Sequence, residues 1–161
     1  MSFIEKLFSR AVHPLYAPVA GRAVAVTEVP DPAFSRGMLG KGVAIIPSDG
    51  GIYAPCDATV DVVFTTGHAV SLVADCGAEI LIHVGLGAAA HDSRFFTAHV
   101  RSGQKVTRGD LLITVDLPAA AAAGLDLTTP MIVSNTSEYA QIHIHTGTDV
   151  TNSDVVVQLA K

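Results

Sequence analysis

The two histidines His68 and His83 are the residues whose spacing in this sequence predicts a chemical site. The stretches before Ala74 and after Gly77 alternate as strands do, and Asp75 favours a hairpin turn between them. If Ala74 faces Gly77 across a two-residue loop, the two histidines are directly opposed. Opposed residues have Cβ atoms about 4.5–5.5 Å apart, so we expect the imidazole rings to be neighbours.

Two neighbouring imidazoles can act on one phosphoryl group or bind one metal ion. A neutral ring with one N–H held by an acceptor has a fixed tautomer and a nucleophilic nitrogen, while the second ring can donate to phosphoryl oxygens. As a zinc site the pair would supply two of the four ligands of a tetrahedral ion, and a carboxylate or thiolate from elsewhere would be needed. A third interpretation, in which both rings are unrelated and face solvent, also stays open. The predicted register puts these residues on the same face: Thr66, Val70, Leu72, Glu79 and Leu81.

Composition narrows the class of protein. The chain has 161 residues, of which 49% are hydrophobic and 16% charged, so we expect one globular domain with a sizeable core. The net charge is −5 and no basic cluster is longer than two residues, which argues against a nucleic-acid partner. Cys56 and Cys76 have no CxxC spacing and are predicted to be reduced. The expected location is cytoplasmic.

Residues 1–13 are predicted to form an amphipathic N-terminal segment ahead of a domain that spans residues 14–161. Ser2 and Glu5 make a capping box, and Leu7 and Phe8 follow helical spacing. Charged residues interrupt the apolar residues of this segment, so the pattern indicates neither a secretory leader nor a membrane span. Its polar face has little positive charge, so membrane contact would be peripheral at most, and packing on its own domain or on a partner is equally open.

Short alternating runs and an internal repeat predict an all-β fold with short helical segments. Segments that begin at Gly103 and Gly147 share Gly, Val, Thr, Asp and two aliphatic residues in one register, and Ala17 and Ala54 begin a looser pair. Such units form tight turns between strands in barrel-sandwich proteins. The residues expected in strands are Val24, Val26, Val43, Ile45, Val60, Val62, Val70, Leu72, Ile80, Ile82, Leu111 and Ile113.

Several motifs resemble, in order and spacing, the glucose-family enzyme IIA of the bacterial phosphoenolpyruvate-dependent sugar phosphotransferase system. They are V-P-D-P-A-F-S from Val29, G-K-G-V-A-I-I-P from Gly40, A-P-C-D-A-T-V from Ala54, T-G-H-A from Thr66, E-I-L-I-H-V-G from Glu79 and T-P-M-I-V-S-N from Thr129. The resemblance runs from about residue 17 to residue 157. It implies an antiparallel β-sandwich of the duplicated hybrid-motif type and the function of a phosphocarrier.

The resemblance also implies roles for individual residues. His83, in E-I-L-I-H-V-G, would be the phosphorylated nucleophile, His68 would stabilise the phosphoryl group, and Thr66 would support His68 by a hydrogen bond. Phosphohistidine on the carrier HPr would be the donor, and a cysteine of the EIIB domain of an EIIB/EIIC sugar permease the acceptor. No cofactor is required, although zinc can be shared between His68, His83 and a partner's carboxylate. The alternative is a non-catalytic module that docks regulated transporters or kinases with the same face.

An apolar partner-binding surface around the histidines is a further implication of the resemblance. Two positions depart from the family pattern: Lys41 and Gly87 stand where the family commonly has Asp. A basic HPr surface would lose favourable charge at Gly87, whereas Asp31 remains available. The residues expected on this surface are Asp31, Phe34, Met38, Leu39, Phe64, Val70 and Leu81.

Overall fold

Three antiparallel sheets make up most of the protein. The computed structural model describes residues 11–87, 89 and 92–161, so residues 1–10 of the predicted N-terminal segment and His91 lie outside the described residues. The all-β prediction is confirmed. The strands are β1 (His13–Tyr16), β2 (Gly21–Ala25), β3 (Lys41–Pro47), β4 (Gly51–Tyr53), β5 (Ala58–Val63), β6 (Ala69–Ala74), β7 (Glu79–His83), β8 (Phe96–Ala98), β9 (Lys105–Val106), β10 (Leu111–Val115), β11 (Thr129–Val133), β12 (Gln141–Ile144), β13 (Asp149–Val150) and β14 (Val155–Ala160).

The main hydrophobic core is shared by all three sheets. An eight-stranded sheet has the order β13-β2-β3-β11-β7-β6-β5-β9, and two three-stranded sheets have the orders β1-β14-β12 and β4-β10-β8. Alternate residues of the large sheet, such as Ile80 and Ile82, meet Leu15 and Leu112 from the small sheets, and all four are at most 1% exposed. The molecule is therefore a β-sandwich, in which each sheet buries one face.

A smaller apolar cluster covers part of the outer face of the large sheet. A short helix α1 (Pro32–Ser35) is N-capped by Asp31, whose Oδ1 accepts a hydrogen bond of 3.0 Å from the backbone of Ala33. Val26 begins a 3₁₀ turn (Val26–Glu28) instead of continuing a strand, so that part of the strand prediction is wrong. The turn and the helix bring these residues together: Val26, Val29, Phe34, Ala44, Leu86 and Ile132.

The internal repeat of the sequence is a duplicated turn in the structure. Asp110 Oδ2 accepts from the backbone N–H of Thr107, and Asp154 Oδ2 accepts from that of Thr151, each at 2.8 Å. The carbonyl groups of both aspartates accept hydrogen bonds of 2.9 Å from the alanines that begin the looser repeat. Each turn therefore ties one repeat of the first kind to one repeat of the second kind.

The helical segments are short, as the sequence predicts. Helix α2 (Leu117–Ala122) is capped by the Asp116 side chain and is followed by Gly124 at a φ of +76°. Residues 134–142 contain a 3₁₀ turn (Thr136–Glu138) and the beginning of β12. Within the described part of the chain, no helix has the length and apolar character needed to cross a bilayer.

Candidate functional site

The side chains of His68 and His83 lie next to each other on the outer face of the large sheet. Their ring centroids are 4.7 Å apart and the ring planes are inclined by 81°. His83 is the last residue of β7 and is half-buried, and His68 directly precedes β6 and is buried. The backbone joins the two segments there, because the N–H of Val84 donates to the carbonyl of His68 at 2.7 Å.

The register of this hairpin differs from the prediction by one residue. Ala74 and Ala78 close the loop through a hydrogen bond of 2.8 Å from the N–H of Ala74, so the loop has three residues. His83 is consequently opposite Ala69, and the directly opposed pair predicted from a two-residue loop is wrong. The shift exchanges the two faces of β6. Val70 and Leu72 point into the core, at 0% and 1% exposure, and do not share the face of His83.

The two rings nevertheless meet because His68 lies outside the regular ladder. Gly67, one residue earlier, has a φ of +76°, a conformation that side-chain-bearing residues rarely adopt. Its N–H donates to the carbonyl of Phe64 at 2.8 Å and closes a tight turn between β5 and β6. This turn, and not strand alternation, brings His68 to His83.

A backbone carbonyl determines the tautomer of His83. Nδ1 of His83 lies 2.8 Å from the carbonyl oxygen of Gly85. A carbonyl can only accept, so Nδ1 donates its proton and the lone pair resides on Nε2. Gly85 has a φ of +94°, and a Cβ at this position would lie 2.7 Å from Cβ of Ala89. The glycine is therefore needed for the turn that aims this carbonyl, a role that sequence reasoning missed although Gly85 belongs to the E-I-L-I-H-V-G motif.

The hydroxyl of Thr66 contacts Nδ1 of His68 within the same turn. The interaction links residues two positions apart, across the glycine at 67, and it holds the His68 ring by one edge. Thr66 is half-buried, which shields the contact from competing water. The structure thus brings together all three residues that the sequence assigned to the chemistry of the site.

Three phenylalanines surround the rings. Phe34 packs against His83 with a centroid separation of 5.3 Å, and Phe64 meets His68 edge-on at 5.5 Å. Phe96, at the start of β8, lies 6.2 Å from His68. These contacts give the imidazoles an apolar environment, in which hydrogen bonds and charges act more strongly than in water.

With this geometry established, the family follows from comparison with known sequences. Residues 13–139 match the family described as phosphoenolpyruvate-dependent sugar phosphotransferase system, EIIA 1. The chain belongs to this EIIA family. As an EIIA chain it is a component of a sugar phosphotransferase system.

Individual relatives agree with this assignment. The EIIA chain is 48% identical over 125 residues, 78% of its length, to the beta-glucoside-specific EIIBCA component of Dickeya chrysanthemi. It is 40% identical over 154 residues, 96% of its length, to the mannose-specific EIIBCA component of Corynebacterium glutamicum. The match covers 20% and 22% of these two relatives, so the chain spans about a fifth of their length.

A solved structure shows the same fold. The EIIA chain is similar to the glucose permease IIA from Mycoplasma capricolum, with a TM-score of 0.84 and 31% sequence identity. The similarity covers 98% of this chain and 99% of that chain. The expected β-sandwich architecture is confirmed by this match together with the three antiparallel sheets.

The residues expected on the partner-binding surface of this EIIA chain differ in exposure. Met38, Leu39 and Phe64 are 75%, 38% and 39% exposed, and Leu81 is half-buried in β7, on the same face of the strand as His83. Phe34 is buried against His83, and the Asp31 carboxylate caps α1. Val70 is completely buried in the core, so its prediction as a surface residue is wrong.

The two departures from the family pattern lie at accessible positions. Lys41 is the exposed first residue of β3, and its N–H donates to the Thr136 hydroxyl at 3.0 Å. Gly87 is exposed with a φ of +56°, and a Cβ built on it meets no atom of the described residues within 4 Å. Space therefore does not explain the missing side chain at position 87.

Metal-ligating side chains do not converge in the residues that the structure describes. No group of three or more His, Cys, Asp or Glu side chains there has the arrangement of a metal site. The histidine pair alone supplies two of the four ligands that a tetrahedral zinc ion takes.

Proposed function

We propose that this EIIA chain accepts a phosphoryl group on Nε2 of His83 from the phosphohistidine of HPr and passes it to a cysteine of an EIIB domain. One observation carries the proposal: Nδ1 of His83 is held by the Gly85 carbonyl at 2.8 Å, beside the ring of His68 at 4.7 Å. This arrangement supplies a nucleophile of fixed tautomer in His83. It also places a second imidazole, that of His68, close to the phosphoryl group that His83 would carry.

The two proposed phosphoryl transfers need no reactant other than the donor, this chain and the acceptor. The lone pair of Nε2 attacks phosphorus, the bond from phosphorus to the donor's nitrogen breaks, and its electron pair returns to that nitrogen. In the onward step a cysteine thiolate attacks phosphorus, and the electron pair of the broken bond returns to Nε2 of His83. Nδ1 keeps its proton throughout, and the Gly85 carbonyl stabilises the positive charge that the ring acquires.

We assign His68 and Thr66 to stabilisation of the phosphoryl oxygens. If the Thr66 hydroxyl donates to Nδ1 of His68, the proton of the His68 ring resides on Nε2 and can be donated to a phosphoryl oxygen. Charge spreads over these oxygens in the loose transition state, so a donor that is already positioned lowers the barrier.

Exposed apolar side chains, of Phe64 beside the His68 ring and of Met38 and Leu39 in the segment after α1, suit transient docking of a protein partner. Met38, Leu39 and Phe64 would exclude water from the site when HPr or EIIB binds, which protects the reactive phosphorus–nitrogen bond from hydrolysis. Zinc at His68 and His83 would need its remaining ligands from such a partner, so we expect it only in a complex.

Phosphorylation in vitro tests the proposal. Incubation with phosphoenolpyruvate, enzyme I and HPr should add one acid-labile phosphoryl group to the chain, and His83→Ala should abolish the addition. His99→Ala is the matched control, since the His99 side chain is exposed and hydrogen-bonded to the Thr114 hydroxyl at 2.6 Å, and this variant should be labelled normally. Peptide mapping then identifies the modified side chain.

Label that survives His83→Ala would contradict the assignment of the nucleophile. Label that is accepted on His83 but is never removed by a cognate EIIB domain would contradict the relay. That result would favour the regulatory docking module instead.

A further inference from the structure

The two cysteines of the chain occupy opposed positions at one end of the β5–β6 hairpin. Ala58 and Ala74 are paired in the ladder, and the N–H of Asp75 donates to the carbonyl of Asp57 at 3.0 Å, which extends the pairing by one residue. Cys56 and Cys76 are the next residues outward, Cys56 in the bend before β5 and Cys76 in the middle of the loop after β6. Both side chains pack against the main hydrophobic core.

Both thiols line the same cleft. Cys56 and Cys76 are half-buried, pack against the main core and border a cleft of about 210 Å³. His13, Asp57 and Asp75 also line the cleft, and the Tyr139 hydroxyl donates to the carbonyl of Cys76 at 3.4 Å. Burial, followed by the nearby Cys76, raises the pKa of Cys56 to about 12, in agreement with the shared cleft.

The ladder pair next to the cysteines sets the spacing of the two backbone segments. Opposed residues such as Ala58 and Ala74 have Cα atoms about 4.5–5.5 Å apart, and disulfides join Cα atoms about 4.4–6.8 Å apart. Cys56 and Cys76 lie two residues beyond that pair, where the hydrogen bond between Asp75 and Asp57 keeps the segments together, so the backbone spacing suits a disulfide. A metal site is a weaker explanation for the pair, because no metal-ligating group of three was found among the described residues.

We propose that Cys56 and Cys76 are a reversible dithiol–disulfide pair that is oxidised by peroxides or small-molecule disulfides. With hydrogen peroxide, the Cys76 thiolate attacks an oxygen atom and becomes a sulfenic acid, and hydroxide leaves. The Cys56 thiolate then attacks the Cys76 sulfur, the sulfur–oxygen bond breaks and a second hydroxide leaves. The two thiols lose two electrons and two protons, peroxide gains both, and two water molecules result.

The second step is slow at neutral pH, because few Cys56 thiols are ionised when their pKa is near 12. The disulfide closes the chain between residues 56 and 76, which contains the turn that carries Thr66 and His68. Strands of six residues separate the disulfide from that turn, about 20 Å along the sheet. We therefore expect oxidation to stabilise the fold and to leave phosphoryl acceptance unchanged.

Oxidation of the folded, reduced protein tests the proposal. Treatment with hydrogen peroxide or oxidised glutathione should remove both titratable thiols and leave a monomer that has lost two hydrogen atoms, and dithiothreitol should reverse the change. Trypsin cannot separate the two cysteines because no Lys or Arg lies between residues 42 and 93, whereas chymotrypsin cleaves after Phe64. The non-reduced chymotryptic map should contain a peptide pair joined at Cys56 and Cys76. The melting temperature should rise by about 5–10 °C.

Two variants serve as controls. Cys76→Ser should keep its fold and lose both the bond and the gain in melting temperature. The double variant Val73→Cys, Cys76→Ala keeps two thiols but places one on the exposed outer face of β6, opposite Thr59 and away from the cleft, and it should not form the bond with Cys56. Thiols that stay titratable, cross-linked dimers, sulfinic acid at either cysteine, or equal bonding in the double variant would each overturn the proposal.

Discussion

At the scale of single residues, one carbonyl decides which nitrogen of His83 can react. The Gly85 oxygen accepts a hydrogen bond from the N–H at Nδ1, and a ring that carries its proton on Nδ1 has a nucleophilic lone pair only on Nε2. The neighbouring His68 is oriented by a side chain instead, through the Thr66 hydroxyl. The two rings therefore have different supports, which suits two different roles in the proposed transfer.

Substitution of His68, or of the Thr66 hydroxyl that contacts it, should slow delivery of the phosphoryl group to EIIB more than its acceptance from HPr. His68→Gln should preserve the fold yet slow delivery of the phosphoryl group to EIIB, and Thr66→Val, which removes only the hydroxyl, should slow it by about 10-fold. Thr65→Val is the matched control because Thr65 is the exposed neighbour. Rapid-quench rates of acceptance and delivery separate the two steps. A delivery rate in Thr66→Val equal to that in Thr65→Val would contradict the role of the hydroxyl.

At the scale of elements, duplicated turns hold the sheets in register. The turn at Asp110 precedes β10 and the turn at Asp154 precedes β14, so the same hydrogen bonds anchor one strand in each small sheet. Both aspartates are exposed. Each carboxylate accepts a hydrogen bond from a threonine N–H, and without the carboxylate that N–H would be hydrogen-bonded to water instead. The energetic contributions of the two turns should therefore match.

Asp110→Ala and Asp154→Ala should each lower the free energy of unfolding by about 1 kcal/mol, since each removes a side-chain hydrogen bond to a turn N–H. Urea denaturation measures both values. The value for each substitution is compared with that for the other. The value for Asp49→Ala, at an exposed position outside the repeat, is a further comparison. A large effect at one repeat and none at the other would contradict the energetic equivalence of the turns.

At the scale of the whole molecule, the packing of the sheets around Cys56 and Tyr139 makes stability sensitive to alkaline pH. Burial raises the pKa of Cys56 from 9.0 to about 12. Burial and the nearby Cys76 raise the pKa of Tyr139 from 10.0 to about 12. In both cases the folded state keeps a proton that the unfolded chain releases, so the unfolded state binds fewer protons between about pH 9 and pH 12 and stability falls there as the pH rises.

The free energy of unfolding should therefore decline above about pH 9, and less steeply in Cys56→Ala and Tyr139→Phe. Each substitution removes one group that must lose its proton on unfolding. Urea denaturation between pH 7 and about pH 11 in the presence of a reductant measures the slopes. Slopes in the variants that equal the slope of the unmodified chain would show that neither group is responsible.

The sequence alone determined the strand composition, the repeat and the family motifs of this EIIA chain. Alternation of apolar residues is local information, and it predicted every expected strand position except Val26, where the chain turns to cover the outer face of the sheet. The G-x-x-V-x-x-(G/S)-D units likewise carry their own turn chemistry, since the aspartate and the N–H it accepts from lie three residues apart.

Only the tertiary structure decided the hairpin register and the surroundings of the site. Whether a loop has two or three residues depends on which backbone groups pair, and alternation is equally compatible with both, so Val70 was assigned to the wrong face. Phe34 and Phe96 reach the histidines from segments distant in sequence. The contact between His68 and His83 itself results from a turn at Gly67, because backbone conformation at a glycine overrides the alternation of the strand that follows.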